Sequence, residues 1–465
     1  MRERRAAPAA HTIKPPMCSQ QQHRCGGVPT PTDVPGRSTA ILAALIAYFG
    51  GLAVLNLTNG PRWLAVPLVL LATALLAMGF LPRTPLTTTR WPLQFQWAVF
   101  TTSALMAGWL VIPTLTAPAV RSDQGPSIQC AAQSVLAGSD PWQESEVQCM
   151  ASLSLHTADL TPLRSGPFAH QPYPPKAQIL RVEGEDQATH TSAGFPDYGY
   201  PPLAAVWILP VAHAGLKYVS WYVVAILLVM LALSWARHLP AAMVPLGAQL
   251  LVFAIFLSGF NGDPEVLGYA ALVCSYLWLD RPRASSVWLS IAVLSNPLCW
   301  VALPGWLGIV LGEADRRRRV GWLFGATAAL LLPWLTWDHS LLAELWRFAT
   351  LPEFPIGFSI AALTNYPYPP SQAFLAMFVA VVVALAVLAW RRPRYRWLCA
   401  AVVWTAFLVN WRGNAYYLLP LFWLSPAILA GWHSTGRRPN GGAGDFPGSR
   451  PTVPRGLGTS IGFES

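Results

Sequence analysis

Charged side chains are scarce in this chain: only 11% of its 465 residues are charged, whereas 54% are hydrophobic. Soluble domains carry about 25% charged residues, so this shortage excludes an ordinary soluble protein and indicates a chain embedded in a membrane. Lysine occurs only at positions 14, 176 and 217, so the formal charge of +10 comes almost wholly from arginine. The arginines cluster in short loops and in the N-terminal arm, where membrane topology and anionic headgroups explain them better than a nucleic-acid partner does.

Metal-binding and nucleotide-binding motifs are also lacking. The histidines at positions 156, 170, 190 and 339 share no metal-ligand spacing, so we predict no metal site. The sequence contains no Gly-rich phosphate loop of the Walker type. This lack argues against a cytoplasmic enzyme that uses a nucleotide sugar and against an ATP-driven pump. We predict no cofactor.

Cysteine is too sparse for a disulfide scaffold, since the seven cysteines are scattered along the chain. Cys130 and Cys149 share one polar loop and are separated by 18 residues that include the Asp140-Pro141 turn. If 127–138 is helical and a short helix follows from about Gln143, the turn would bring the two thiols together. We therefore predict a disulfide, and the alternative is two free thiols held too far apart by the turn.

Long apolar runs make up most of the chain. Each of the first three runs is close to the ~20 residues that a helix needs to cross a bilayer, and the whole pattern predicts an all-α, polytopic transmembrane bundle of about ten to twelve spans. The runs are near 40–57, 64–81, 95–115, 201–216, 219–236, 240–260, 264–279, 285–312, 320–337, 372–390, 396–411 and 415–432.

Two of these runs raise questions about topology. Strict alternation would place Arg281 outside, against the positive-inside rule, so one segment between 201 and 280 is not a simple crossing. The Pro-rich segment 201–216 is the main suspect. The run 285–312 is interrupted at Asn296-Pro297 and at Pro304-Gly305, and we expect it to enter and return as two half-helices. Arg281 and Arg283 on one side and Arg316–Arg319 on the other should then share the cytoplasmic face.

The polar parts define the domain organisation. Residues 1–38 form a basic, disordered cytoplasmic arm, 39–433 the transmembrane domain and 434–465 a disordered tail. The longest polar stretch runs from Val120 to Leu203 and largely coincides with the predicted extracytoplasmic loop 118–200. A second polar excursion, 338–370, should face the same side.

Asp123 is the sharpest candidate for chemistry. It follows the third span, where a lipid-linked substrate would present its headgroup, and a carboxylate beside a low-dielectric surface can act as a general base. The alternative is a solvated loop acid beside Arg121. Asp140 precedes a Pro-Trp turn, and we predict that its side chain caps that turn.

Several short motifs carry a resemblance to a known family. They are Asp123 followed by Leu136-Ala137-Gly138-Ser139-Asp140-Pro141-Trp142, then Tyr200-Pro201-Pro202-Leu203, Gly259–Asp263, Leu294–Pro297 and Asn410–Pro420. Together they resemble the GT-C superfamily of membrane glycosyltransferases, and within it the family 87 polyprenyl-phosphate-mannose-dependent group. The sequence departs from that pattern with Trp142 where Tyr is usual and with no Gly-Gln pair near Asp263.

The resemblance implies an inverting transfer of a sugar, mannose by analogy, from a polyprenyl-phosphate donor, with Asp123 as general base. It also implies an envelope glycolipid or glycan as acceptor. The high content of arginine and alanine with little lysine is typical of a GC-rich bacterial genome, so we predict a place in the bacterial cell membrane. The lipid-linked sugar would be a co-substrate. The competing class is a secondary transporter or flippase, for which inverted repeats and mid-membrane acids are expected and are not evident.

Five further residues are candidates for substrate binding. Asp197 could bind sugar hydroxyls while Tyr198 and Tyr200 stack on the ring. Asp263 opens an apolar run, and an ionisable group at membrane depth is often functional, although Asp263 could simply cap the following helix. Arg412, a lone arginine on the predicted outer side, could hold the lipid phosphate or anchor the interface.

Overall fold

The computed structural model of the chain is helical. It describes residues 37–47, 65–80, 93–116, 124–143, 149, 152–153, 181, 198–238, 264–350, 356–357, 372–391 and 412–413. The helices are α1 (Arg37–Ala47), α2 (Ala65–Phe80), α3 (Leu93–Thr116), α4 (Gln124–Ala137), α5 (Pro202–Ile208), α6 (Leu216–His238), α7 (Glu265–Leu277), α8 (Pro282–Ser295), α9 (Leu298–Val310), α10 (Arg316–Trp337), α11 (Leu341–Thr350) and α12 (Gln372–Arg391). The all-α class is confirmed; one two-residue parallel pair joins β1 (Ile356–Gly357) to β2 (Arg412–Gly413).

Helix α7 lies at the centre of the described bundle. All thirteen of its residues are buried, which follows from a sequence that is apolar on nearly every face. It packs against α6 and α8. Gly268 allows the close approach to α8, because a Cβ atom there would lie 2.7 Å from Cβ of Asn296. The centre of the bundle therefore depends on a residue without a side chain.

Helices α8 and α10 run parallel and are joined by serine hydroxyls. Ser286 donates to the carbonyl of Arg319 at 2.9 Å, and Ser290 donates to the carbonyl of Leu323 at 3.1 Å. Thr327 of α10 donates to the Ser290 hydroxyl at 3.0 Å. Small hydroxyl side chains let two backbones approach closely and also supply polar contacts in an apolar setting. The row of serines on α8 thus determines which side of the helix faces α10.

The predicted break at Asn296-Pro297 is confirmed. Helix α8 ends at Ser295, and the Asn296 side chain accepts a hydrogen bond from the amide of Leu298 at 2.8 Å. The same side chain donates to the carbonyl of Glu265 at 3.2 Å and so fastens the corner to the start of α7. The second predicted interruption, at Pro304, is wrong. Helix α9 continues through Pro304, because one lost hydrogen bond can be tolerated where neighbouring helices hold the segment.

The chain folds back at Asn296-Pro297, so the start of α8 and the end of α9 lie at the same end of the bundle. Arg319 donates to the carbonyl of Leu279 at 2.6 Å, and the Arg283 guanidinium lies over the Trp322 ring. The two arginine clusters therefore share one end of the bundle, in agreement with the sequence-based expectation that they share a face. We call this the basic end, comprising Arg237, Arg281, Arg283 and Arg316–Arg319.

The segment suspected of not crossing is short. Helix α5 has 7 residues and continues into a 3-residue 3₁₀ helix, Leu209–Val211. Ten residues rise about 15 Å, half of the ~30 Å hydrocarbon core. The chain then turns at 212–215 and enters α6. A helical segment of this length is too short to cross the hydrocarbon core, in agreement with the expectation that 201–216 is not a simple crossing.

Two of the described helices are long and apolar enough to cross a membrane. Helix α6 qualifies over Leu216–Arg237 and α10 over Arg316–Trp337, each with 22 residues and with mean hydropathies of 2.2 and 1.4. Large apolar side chains on both helices are exposed, including Leu233 and Phe324. These two helices support membrane association. The predicted arm 1–38, apart from its last two residues, and the tail 434–465 lie outside the described residues.

Candidate functional site

Helix α4 leads into the turn of the long polar loop. It begins at Gln124, the residue after Asp123, and Asp123 itself lies outside the described residues. The helix ends at Ala137 and is followed by Gly138, whose φ of 77° lies in the left-handed region that favours glycine. The Asp140 carboxylate then accepts a hydrogen bond from the amide of Trp142 at 2.9 Å. The predicted turn-capping role of Asp140 is thus confirmed.

The turn places Trp142 in the core. Its side chain is 2% exposed, and its indole N–H donates to the carbonyl of Tyr200 at 3.2 Å. The Trp142 ring lies 5.6 Å from the Tyr198 ring, and the Tyr198 and Tyr200 rings are 5.7 Å apart. These contacts join the beginning of the long loop to its end. An indole with a hydrogen-bond partner is a stable way to bury Trp.

The two tyrosines predicted to stack on a sugar are buried instead. Tyr198 is 2% exposed and Tyr200 is 8% exposed, and the Tyr198 hydroxyl donates to the carbonyl of Pro201 at 3.3 Å. Their rings pack against each other and, through Tyr198, against Trp142. In this arrangement neither ring offers an open face to a carbohydrate. The described contacts make both tyrosines anchors for the loop end that precedes α5.

The second polar excursion meets the first at this point. The Trp334 ring, near the end of α10, lies 5.8 Å from the Trp142 ring in an edge-to-face arrangement. The Gln143 amide donates to the Ser340 hydroxyl at 2.8 Å. We call this place the junction, comprising Trp142, Gln143, Tyr198, Tyr200, Trp334, Trp337, Asp338 and Ser340. Two excursions in direct contact must lie on one side of any membrane, as the sequence predicts.

Asp338 is the acid at the junction. It follows α10 directly and is only 6% exposed. Its Oδ1 accepts hydrogen bonds from the amide and the hydroxyl of Ser340, both at 2.7 Å. Its Oδ2 is buried and has no hydrogen-bond partner within the part of the chain that the structure describes. A buried carboxylate oxygen without a donor is costly, so this atom is suited to accept a bond from an entering group.

Sequence reasoning missed Asp338 as a site residue. It entered only as the first residue of the second excursion. The available signal was its position: Asp338 comes directly after the apolar run 320–337, much as Asp123 follows the third run within about eight residues. Two tryptophans, Trp334 and Trp337, precede Asp338 within about one helical turn. The same argument that selected Asp123 would have selected it.

The predicted disulfide is present. Cys130 of α4 and Cys149 are bonded, with their Cα atoms 5.7 Å apart. On the same helix, the Gln129 amide donates to the carbonyls of Ala212 and Ala214, both at 2.8 Å, and the Gln133 amide donates to Ala212 at 2.8 Å. The segment that follows Asp123 is therefore tied to the loop by a covalent bond and to the turn 212–215 before α6 by hydrogen bonds.

The remaining predicted site residues are only partly described. Asp197 and Asp263 lie outside the described residues; α7 has Pro264 at its N-cap position, the residue after Asp263. Arg412 lies in β2, where its backbone pairs with Ile356 of the second excursion. The chain around Arg412 is thus brought to the excursion that begins at the junction.

The described residues contain no group of three or more His, Cys, Asp or Glu side chains that could hold a metal ion. Comparison with protein-family models, curated proteins and solved structures gives no match to this chain.

Proposed function

We propose that this chain is a polytopic bacterial membrane glycosyltransferase that acts on the extracytoplasmic face. It moves a sugar, mannose by analogy, from a polyprenyl-phosphate donor to a hydroxyl group of an envelope glycolipid or glycan. The observation that carries the proposal is the half-paired Asp338 carboxylate at a tryptophan-rich junction between the two polar excursions.

The chemistry of the junction suits a hydroxyl-bearing substrate. A buried carboxylate oxygen needs a donor, and a sugar hydroxyl supplies one without adding charge. Trp337 is 40% exposed and lies 5.6 Å from Trp334, so an apolar ring face is available beside the acid. Because Oδ2 is shielded, a substrate would have to displace neighbouring side chains to reach it. Asp338 would then hold the substrate at the membrane surface.

The transfer itself requires a base. In the proposed reaction Asp123 takes the proton of the acceptor hydroxyl, and that oxygen attacks the anomeric carbon of the donor sugar. The bond from this carbon to the phosphate oxygen breaks, and polyprenyl phosphate leaves with the electron pair. Attack from the opposite side inverts the anomeric configuration. Helix α4, which begins one residue after Asp123 and carries the Cys130–Cys149 disulfide, would steady the base.

The arrangement of charge supports the membrane placement. Helix α10 has 22 residues, so about 33 Å separates the basic end from the junction. That length matches the hydrocarbon core. Arginines retained on the cytoplasmic side would put the junction on the opposite surface, where a lipid-linked sugar is presented after it has been flipped.

The proposal is tested with membranes that carry the full chain. Radiolabelled polyprenyl-phosphate mannose is added together with a panel of envelope lipids, and membranes without the chain are the control. We expect label in a new lipid or glycan product that appears only with the chain. Label that crosses sealed vesicles without entering any product would instead favour the transporter or flippase.

A further inference from the structure

Two arginines share one tryptophan at the basic end. The Arg237 guanidinium carbon lies 4.9 Å from the centroid of the Trp278 ring, and that of Arg281 lies 5.0 Å from the same centroid. Arg237 ends the long apolar part of α6, whereas Arg281 belongs to the turn before α8. Both arginines are exposed. Two separate parts of the chain therefore present cations on one indole.

The two positive charges are close enough to repel each other. The two distances to the shared centroid put the guanidinium carbons at most about 10 Å apart, within a Debye length at physiological salt or close to it. Neither arginine makes an ion pair with an acid within the part of the chain that the structure describes. An anion bound at this place would relieve the repulsion.

The surroundings are basic as well. Arg283 lies over the Trp322 ring at 4.6 Å, and Arg316, Arg317 and Arg318 are exposed. The seventh arginine of the basic end already has partners within the protein. Arg319 is buried, pairs with Asp315 at 2.8 Å and donates to a backbone carbonyl. The acids in this part of the chain are Asp280, Glu313 and Asp315, so cations exceed anions. The local field therefore favours a negatively charged partner.

We propose that Arg237 and Arg281, held on Trp278, form a binding site for the phosphate headgroup of an anionic phospholipid. The inference rests on the membrane placement in the proposed function and is independent of sugar transfer. Trp278 lies beside Arg237, where the candidate membrane span Leu216–Arg237 of α6 ends. An indole at that level prefers the headgroup region of a bilayer, so guanidinium groups stacked on it are held at phosphate depth. Guanidinium donors form paired, charge-assisted hydrogen bonds with phosphate oxygens.

The expected lipid is anionic rather than zwitterionic. A phosphatidylglycerol headgroup carries a net negative charge, whereas the ammonium group of phosphatidylcholine cancels the phosphate and would itself be repelled by the arginines. Each basic residue near an anionic surface favours binding by about fivefold, so loss of two should weaken binding by at least tenfold. Selectivity for phosphatidylglycerol over phosphatidylcholine is the signature of the site.

The test measures binding of fluorescent short-chain phosphatidylglycerol to the purified full chain in a neutral detergent. The variant is R237Q together with R281Q. The matched control is R317Q together with R318Q, which removes the same charge at the same end without touching Trp278. We expect the affinity of the first variant to fall at least tenfold and that of the control by less than threefold. Thermal unfolding of each variant checks that the fold is retained.

Several results would overturn the inference. Equal losses in the two double variants would mean a diffuse field rather than a site, and an unchanged affinity would remove the site altogether. If millimolar inorganic phosphate displaces the lipid completely, the site binds phosphate rather than a headgroup. If R237Q with R281Q fails to fold, R237K with R281K replaces it. This variant keeps both positive charges but loses the paired N–H donors of the guanidinium groups, so an unchanged affinity would contradict the proposal. Sugar transfer is assayed separately, so its failure leaves the binding result standing.

Discussion

At the scale of single residues, the two oxygens of Asp338 have different surroundings. Oδ1 accepts two hydrogen bonds from Ser340, whereas Oδ2 is buried without a partner among the described residues. In Asp338→Asn, the amide oxygen can still accept the hydrogen bonds from Ser340, and the amide NH2 group, a donor, takes the place of Oδ2. Because a hydrogen bond to a charged group contributes about 1.5–3 kcal/mol, we expect kcat/KM for transfer to fall about 10- to 100-fold with little change in Tm.

The control for this substitution is Asp280→Asn, at the exposed turn of the basic end. It removes an identical charge far from the junction and should leave transfer unchanged. Asp338 would be only a structural cap if Asp338→Asn retained full transfer. The same conclusion would follow if the loss of transfer came with a large fall in Tm. Michaelis–Menten analysis at varied acceptor and a thermal melt of the same preparations separate these outcomes.

Asp123 is the residue on which the chemistry depends. We expect Asp123→Asn to reduce transfer by about 10²- to 10⁴-fold, the contribution of a general base, without changing expression or membrane insertion. Transfer of radiolabel measures the loss, and immunoblotting of washed membranes measures insertion. Gln124→Ala, at the neighbouring position, is the control for local disturbance. Activity within a few-fold of the parent would rule Asp123 out as the base and make Asp197 or Asp263 the next candidate.

Gly268 is a test of packing at the centre of the bundle. Gly268→Ala places a methyl group 2.7 Å from Cβ of Asn296, so the corner between α8 and α9 must shift. We expect destabilisation by about 1–3 kcal/mol, as for other overpacked cores. Gly325→Ala on α10 is the matched control, since a Cβ there meets nothing within 4 Å and alanine favours the helix. Thermal unfolding in detergent gives both values, and equal Tm values would contradict the close approach.

At the scale of elements, the disulfide fastens α4 to the segment after the turn. We expect mass spectrometry of the non-reduced protein to recover the Cys130 and Cys149 peptides as one linked species. Closing a loop of this size stabilises it by ~3 kcal/mol in the chain-entropy model, so reductant should lower Tm. Cys130→Ser should lower Tm by the same amount and make it insensitive to reductant. Recovery of both peptides as free thiols, alkylated without reductant, would exclude the bond.

The elements that sequence predicted well are those with local causes. The break at Asn296-Pro297 follows from a missing amide donor and from the preference of the residue before proline for an extended conformation. The Asp140 turn has an equally local cause. Pro304 shows the limit of such reasoning, because helix α9 continues through this proline. Local sequence indicates where a helix can break, and packing determines whether it does.

The candidate site was less predictable because its contacts are distant in sequence. Tyr198 is buried by Trp142, and Trp142 packs against Trp334, nearly two hundred residues further along. A polar loop composition indicates exposure, so the Tyr198 and Tyr200 rings were expected to be open to a sugar. Oδ2 of Asp338 also has no signature in sequence, since its missing partner is a property of the assembled junction.

At the scale of the whole molecule, the charges and the junction lie at opposite ends. Helix α10 begins in Arg316–Arg319 and ends beside the junction, and α6 begins at Leu216 and ends at His238, the residue after Arg237. The end of α12 approaches the basic end too, since a Cβ on Gly312 would lie 3.7 Å from the carbonyl of Trp390. A bundle with arginine at one end has a preferred orientation in a membrane.

This orientation predicts which residues are accessible from outside the cell. In a background that retains only the bonded pair Cys130 and Cys149, His339→Cys should react with a membrane-impermeant maleimide in intact cells. Arg317→Cys should react only after the membrane is permeabilised. Both positions are exposed in the structure, so a difference in labelling reports the side of the membrane rather than burial.

The same experiment extends to the long loop and to the N-terminal arm. A cysteine at position 180 should label like His339→Cys, and one at position 20 should label like Arg317→Cys, because the basic arm is expected on the cytoplasmic side. Labelling of positions 20 and 317 but not 180 and 339 in intact cells would reverse the topology. The junction would then face the cytoplasm, where nucleotide sugars are available, and the polyprenyl-phosphate donor would lose its main topological argument.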